Sequence, residues 1–274
     1  MKRVIYLFSI LGVLSVACLS IAIVGGLLYS AARIDLGGVL SAFSLSWNPP
    51  QGEYGVIPMI FGTLSAAVLA TIIAIPLSFG IIISIWASNC SFMRWILRFM
   101  TGIPTVVYSF CGLFILVPIC RTLFVGSGYN ILSVAAVLSI LILPTMTIIA
   151  DSALYPLLNK PETLRLTAES LGLNREKTLL HIALYIKRKW LLTGVLLSFS
   201  RALGDTIIAL MISGNTPVMP DGLFSTMRTL SAHISLLTAS EITPQIEFTM
   251  FLAGFLLFSA ALAVSLLAKR LRGE

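Results

Sequence analysis

Charge is scarce in this sequence. Only 11% of its 274 residues are charged, whereas 58% are hydrophobic, and the mean hydropathy is +1.00. A soluble domain carries about 25% charged residues, so the composition excludes an ordinary soluble protein. The sequence therefore predicts an all-α integral membrane protein whose surroundings are the lipid bilayer.

Motifs for common enzyme chemistry are also missing. No glycine is followed by lysine, so the phosphate-binding loop of an ATPase is absent and this chain is not expected to hydrolyse ATP. The four cysteines show no Cys-x-x-Cys spacing, which argues against a disulfide framework or a metal site. The apolar runs contain no cluster of His, Asp and Glu. We therefore expect no catalytic residue, no metal and no cofactor in this chain.

Six apolar runs are long enough to cross a hydrocarbon core of about 30 Å, which takes about 20 helical residues. They lie at Ile5–Leu28, Ile57–Trp86, Ile103–Ile119, Leu132–Ala150, Leu191–Ser213 and Thr249–Leu267. The second run has 30 residues and no charge. It must therefore tilt, bend at Pro76 or project beyond the bilayer.

Lysine and arginine gather on one side of these runs. With the N-terminus in the cytoplasm, 14 of the 18 lie in cytoplasmic segments and three in outer segments. This bias predicts that both termini are cytoplasmic. The net charge of +7 is then a topology signal and needs no nucleic-acid partner. We divide the chain into a first helix with its outer loop, residues 1–56, and a transmembrane core, residues 57–274.

The most charged stretch, residues 151–190, predicts two short amphipathic helices between spans four and five. Pro161 suits a helix start and Gly172 suits a C-terminal cap. Asp151 is expected to be a solvated residue at the cytoplasmic end of span four. The two helices must cover their apolar stripes against the bundle, a partner protein or the lipid surface. In the outer loop at 214–246, the segment Met227–Ile234 predicts a short helix lying on the outer surface.

Part of this charged stretch resembles a known coupling loop. Gly172 is followed after nine residues by Ile182-Ala-Leu184. In permeases of ATP-binding-cassette (ABC) importers, Glu-Ala-Ala, three residues and Gly are followed after nine residues by Ile-x-Leu-Pro. Ala168 matches the last alanine of that pattern, whereas Tyr185 replaces the proline. The resemblance implies that Ala168, Gly172, Ile182 and Leu184 couple the chain to an ATPase.

Two further stretches indicate which group of ABC importer permeases the sequence resembles. Thr101–Phe114, which contains Pro104 and Tyr108, looks like the Gly-x-Pro-Ser-Ile-Val-Tyr-Gly segment of phosphate-specific permeases. Arg201-Ala-Leu-Gly-Asp205-Thr resembles their Arg-Ala-Leu-Gly-Glu-Thr. The resemblance extends from about residue 60 to residue 214, and more weakly to the end of the sequence. Two stretches, 143–154 and 227–230, favour the C-type over the A-type of these permeases.

The resemblance implies a six-helix, MetI-like permease fold in the bacterial inner membrane, with coupling helices between spans four and five. It also implies a second homologous permease, two ATPase subunits that bind ATP and Mg²⁺, and an external phosphate-binding protein. Such a permease works by alternating access. A permease for sulfate or molybdate is the close rival. A membrane-embedded enzyme is an alternative of a different class. A self-contained channel or carrier is a further alternative, but it would leave the coupling loop unexplained.

Two charges interrupt the fifth apolar run. Arg201 lies 11 residues beyond Trp190, or about 16 Å along a helix, which places it near the midplane. An intramembrane charge is by default a functional-site hypothesis, and a guanidinium can engage two phosphate oxygens. Asp205, at i+4 on the same helix face, can hold the arginine when no anion is present. We therefore expect Arg201 to contact or gate phosphate; the alternative is an ion pair that only joins helices.

Pro104 and Tyr108 form a second candidate, near the start of span three. We expect Pro104 either to unwind the backbone toward an anion, as in other transporters, or only to kink the helix. Tyr108 would then belong to a pore motif of this span.

Overall fold

The computed structural model describes residues 2–87, 91–123, 126–159, 170, 172 and 182–272, and helices dominate it. The helices are α1 (Lys2–Ala31), α2 (Leu36–Ser41), α3 (Ile57–Ala87), α4 (Ser91–Gly102), α5 (Thr105–Cys111), α6 (Val117–Leu123), α7 (Ile131–Asn159), α8 (Leu184–Ile186), α9 (Arg188–Leu203), α10 (Ile207–Ile212), α11 (Leu230–Leu237) and α12 (Pro244–Arg272). A short π-helical turn, Gly112–Leu116, joins α5 to α6. Strands β1 (Trp47–Asn48) and β2 (Glu53–Tyr54) pair antiparallel in the loop before α3.

Five of the predicted spans have matching helices in the described residues. The stretches long and apolar enough to cross a membrane are Ile10–Ala31, Ile57–Trp86, Thr105–Leu123, Ile131–Pro156 and Pro244–Arg272. In α3 the helix continues through Pro76 and is 31 residues long, or about 46 Å. That length exceeds the hydrocarbon core, as the sequence predicts.

The fifth predicted span, Leu191–Ser213, differs from its prediction. Its residues form two helices, α9 and α10, which are separated at Gly204–Thr206. With 16 residues, α9 is about 24 Å long and shorter than the hydrocarbon core. The prediction of one continuous helix is wrong because apolar content sets the length of a span but does not show where its backbone breaks.

The centre of the bundle is the packing of α3 against α7 and α9. Small residues of α3 are buried at this contact, among them Ala66, Ala67, Ala70 and Ala74. Small side chains let helix backbones approach closely, which is how helices associate in lipid. Gly112 serves the same purpose, since a Cβ there would lie 2.6 Å from side-chain atoms of both Val137 and Ile212. The π turn is therefore pressed against α7 and α10.

The segment between α10 and α12 folds back into the bundle. Leu230, Ser231, Ala232, His233 and Leu237 of α11 are all buried. The Leu230 amide donates to Thr63 Oγ1 of α3 at 2.9 Å. The predicted short helix is therefore present, but it is packed against α3, α10 and α12 and does not lie on the surface.

A second apolar cluster lies where α3 ends and α4 begins. It contains Trp86, Leu97, Leu154 and Ala183, and Ala183 is fully buried. In the predicted coupling stretch 151–190, residues up to Asn159 continue α7, so span four is longer than predicted. The far end of the same stretch returns to the bundle at Ala183.

Asp151 is not the solvated residue that the sequence predicts. Arg94 Nε and Nη2 donate to its two carboxylate oxygens at 3.0 and 3.3 Å. The side chains of Arg94 and Asp151 are 22% and 18% exposed, and the guanidinium also lies 4.9 Å from the centre of the Trp86 ring. The prediction is wrong because α7 continues for two more turns, so that Asp151 faces α4 instead of water.

Candidate functional site

The break between α9 and α10 organises the candidate site. Gly204 and Asp205 both have low helix propensity, and the helix ends just before them. Asp205 Oδ1 accepts a hydrogen bond from the Ile208 amide at 2.9 Å. A carboxylate in this position caps the start of a helix by satisfying an amide that has no partner within the helix.

The backbone freed by the break also has a partner. Ser231 Oγ, at the buried start of α11, donates to the Asp205 carbonyl at 2.9 Å. Irregular backbone at membrane depth is tolerated only where its polar groups are paired or line a cavity. Asp205 and Ser231 together therefore stabilise the discontinuity.

Arg201 lies in the last turn of α9 and is half-buried. Its Nη1 donates to Thr145 Oγ1 on α7 at 2.6 Å. In the described parts of the chain, no other hydrogen bond involves this guanidinium. Thr145 is a neutral acceptor, so the arginine keeps its full positive charge and retains donors that a bound anion could use.

The expected ion pair between Arg201 and Asp205 is not formed. The two ion pairs within 4 Å among the described residues are Arg33–Glu247 and Arg94–Asp151. The i+4 relationship requires a continuous helix, and the helix ends between these two residues. Asp205 instead caps α10, and Arg201 reaches across to α7.

Thr145 is a site residue that the sequence did not predict. It lies in the stretch 143–154 that resembles the C-type permeases, but 56 positions separate it from Arg201. It follows Pro144, which lies inside α7. No local pattern links the two residues, since only the packing of α9 on α7 brings them together.

A second arginine lies near the other end of α10. Asn215 adopts a left-handed conformation with φ 54°, and its carbonyl accepts from Arg228 Nε at 2.8 Å. Its side-chain Nδ2 donates to the Leu210 carbonyl at 2.6 Å, which ties it to α10. Arg228 Nη1 also lies 3.4 Å from His233 Nδ1.

Pro104 and Tyr108 lie at the junction between α4 and α5. Pro104 precedes the first residue of α5 and adopts an extended conformation, with φ −61° and ψ 144°. The chain therefore breaks between α4 and α5, and does not merely kink. Tyr108 Oη donates to the Met100 carbonyl at 2.8 Å, so the tyrosine caps the end of α4.

The predicted coupling residues are described only in part. Ala168 lies outside the described residues. Gly172 has φ 72°, the left-handed conformation that a glycine adopts at a helix C-cap. Ile182 and Leu184 flank the buried Ala183, and Leu184 packs against the cluster around Trp86. Leu184 thus shares with Arg94 a contact to Trp86, since the Arg94 guanidinium lies over the Trp86 ring.

The chain is similar to permease proteins from several organisms. It is 30% identical to Phosphate transport system permease protein PstC of Xylella fastidiosa (strain 9a5c). The alignment is 298 residues long and covers 97% of this chain and 90% of that protein. The chain is 36% identical over 202 residues to Probable ABC transporter permease protein YqgH of Bacillus subtilis (strain 168), covering 70% of this chain and 64% of that protein.

A third relative is less similar. Probable phosphate transport system permease protein PstC of Methanocaldococcus jannaschii is 27% identical over an alignment of 251 residues that covers 84% of this chain and 78% of that protein. The chain thus spans just under two thirds of the Bacillus protein and most of the other two. No protein-family model matches the chain.

Proposed function

The chain belongs to the family of phosphate transport system permease proteins, and we infer its function from this family. It is a multi-pass membrane protein, and we propose that it forms the transmembrane pathway of an ATP-driven phosphate importer. The relatives named PstC carry phosphate transport in their names. The C-type resemblance of the sequence agrees with those names.

One observation supports the location of the pathway. Arg201 is a half-buried cation held by a neutral hydroxyl at a break between two helices. Broken helices at membrane depth are typical of substrate sites in transporters. An arginine without a carboxylate partner attracts an oxyanion, whereas a paired arginine would be neutralised. We propose that Arg201 contacts phosphate as it passes.

The role proposed for Asp205 follows from its contacts. Its carboxylate caps α10, so it shapes the break in which Arg201 lies. It also places a negative charge near the path without joining the arginine directly. We propose that this repulsion keeps phosphate from being held too tightly for release.

The assembly proposed here includes a second permease, two ATPase subunits and an external phosphate-binding protein. ATP and Mg²⁺ would be bound by the ATPase subunits. We propose a MetI-like arrangement in the inner membrane with both termini cytoplasmic, in which α9 and α10 together form the fifth of six spans. The stretch 151–190 would couple the ATPase to α7 and α9, because it leaves one of these helices and enters the other.

Comparing substrates directly tests this function. The complete complex is reconstituted in vesicles, and ATP hydrolysis and anion uptake are measured with binding protein and phosphate, sulfate or molybdate. We expect phosphate alone to stimulate both activities. Stimulation by sulfate or molybdate without phosphate would assign another oxyanion, and uptake by this chain alone would contradict coupling to an ATPase.

A further inference from the structure

The arginines of this chain differ in whether their partners are carboxylates or neutral groups. Arg33 and Arg94 contact carboxylates, Glu247 and Asp151. Arg228 is half-buried and has two neutral partners, the Asn215 carbonyl and His233 Nδ1. No carboxylate lies within 4 Å of it in the described ranges. Its positive charge is therefore uncompensated, as is that of Arg201.

The position of Arg228 relative to Arg201 follows from backbone contacts. The Met227 amide donates to the Ser213 carbonyl at 3.0 Å, just after α10 ends. Ser231 donates to the Asp205 carbonyl just before α10 begins. The segment 227–231 therefore runs antiparallel to α10. Arg228 lies near one end of this helix and Arg201 lies beyond the other, with about 9 Å of helix between them.

The segment that carries Arg228 is fixed against α3. A Cβ at Gly62 would lie 2.5 Å from the Arg228 carbonyl oxygen, so only glycine permits this approach. Thr63 accepts from the Leu230 amide. These contacts hold the backbone at Arg228 and just after it, and the bond from the Met227 amide to Ser213 holds it just before, so the side chain is presented from a rigid position.

His233 orients the guanidinium without neutralising it. The imidazole is fully buried, and its ring stands perpendicular to the Trp47 ring, with centroids 4.3 Å apart. Burial, and then the charge of Arg228, lower the pKa of His233 to about 3. Because the guanidinium can only donate, Nδ1 of the neutral ring is the acceptor of this contact. That tautomer carries its proton on Nε2, which has no hydrogen-bond partner among the described residues.

Arg228 also keeps donors available. Its Nε binds Asn215 and its Nη1 faces His233. Nη2 has no partner in the described parts of the chain. A phosphate oxyanion accepts hydrogen bonds from such a planar group, and charge-assisted bonds of this kind are about twice as strong as neutral ones.

We propose that Arg228 is a second oxyanion contact of this permease, on the outer side of Arg201, and that Asn215 and His233 hold it ready for phosphate. Phosphate released by the external binding protein would meet Arg228 first and pass along α10 to Arg201. This inference rests on the proposed function and on the proposed orientation, in which the loop after α10 is outside.

The test compares Arg228→Gln and Arg228→Lys with Arg33→Gln, in the complete complex reconstituted with binding protein. Arg33 is a matched control because it is also outside the spans but is paired with Glu247. Phosphate uptake and ATP hydrolysis are measured together. We expect R228Q to lower uptake per ATP about tenfold, as the loss of one charged hydrogen bond predicts. R228K, which keeps the charge, should lose about threefold or less, and R33Q should match the wild type.

Three results would overturn the proposal. In the first, R228Q transports phosphate as well as the wild type. In the second, R228Q and R228K lose uptake and ATP hydrolysis equally, together with the yield of complex, which assigns a structural role. In the third, the R228Q defect appears only in vesicles containing anionic lipid, which assigns the contact to a lipid phosphate. Failure of the wild type to take up phosphate would instead refute the proposed function.

Discussion

The region around Asp151 and the region around the α9–α10 break each contain a half-buried arginine on a helix that contacts α7. In the first, Arg94 is bound by a carboxylate through two hydrogen bonds and lies against Trp86. In the second, Arg201 is bound by one hydroxyl, and the nearby carboxylate caps a helix instead. The first arrangement neutralises its charges and joins two helices. The second leaves a positive charge available.

This difference separates structural from functional charge. An arginine whose donors are satisfied by a carboxylate has little affinity left for an anion. An arginine held by neutral acceptors keeps that affinity, at a cost in desolvation. Substituting an arginine that is bound to a carboxylate should therefore mainly lower stability. Substituting an arginine that is held by neutral acceptors should mainly lower transport.

The largest expected effect is that of Arg201→Gln on transport. Losing charge-assisted hydrogen bonds of about 1.5–3 kcal/mol to phosphate predicts a fall in uptake of roughly 10- to 100-fold. Uptake into vesicles containing the complete complex measures it, and the yield of complex should not change. Wild-type uptake by this variant would show that Arg201 only joins α9 to α7.

The next effect is that of Arg94→Gln on stability. Removing the guanidinium leaves the Asp151 carboxylate largely buried without its partner, which we expect to cost about 2 kcal/mol. Thermal unfolding of the purified chain in detergent measures this as a lower midpoint. The matched control is Arg33→Gln, because Arg33 is 47% exposed and its pair should contribute under about 1 kcal/mol.

A second variant separates the ion pair from general damage. Adding Asp151→Asn to Arg94→Gln removes the unpaired charge, so part of the lost stability should return. Equal destabilisation by R94Q and R33Q would contradict the contrast between the two regions. So would a larger effect of R94Q on uptake than that of R201Q.

The smallest effect concerns Asp205. Because its carboxylate caps α10, Asp205→Ala should lower stability by about 1 kcal/mol, whereas Asp205→Asn, which can also cap, should cost only a few tenths. Unfolding midpoints measure both variants. If the charge also limits how tightly phosphate is held, D205N should alter uptake per ATP hydrolysed while stability is unchanged. Normal transport by D205N would leave the residue as a cap alone.

The sequence predicted the candidate residues better than it predicted their contacts. Arg201 and Asp205 were identified because charge is rare in apolar runs, and both lie at the break. Their pairing was predicted wrongly, since it assumed that the helix continues through Gly204. The sequence did not predict the contact between Arg201 and Thr145, which are 56 positions apart. It also did not predict the Arg94–Asp151 pair, whose members are 57 positions apart.

By itself, the sequence determined that the chain lies in a membrane, which stretches are apolar enough to cross it and where charge is concentrated. These properties follow from local composition and from the cost of charge in hydrocarbon. Only the tertiary structure decided where the fifth apolar run breaks and which arginines are neutralised. The reason is that a hydrogen-bond partner depends on which helices pack together, and the side chains that bind Arg94 and Arg201 come from a different helix of the chain.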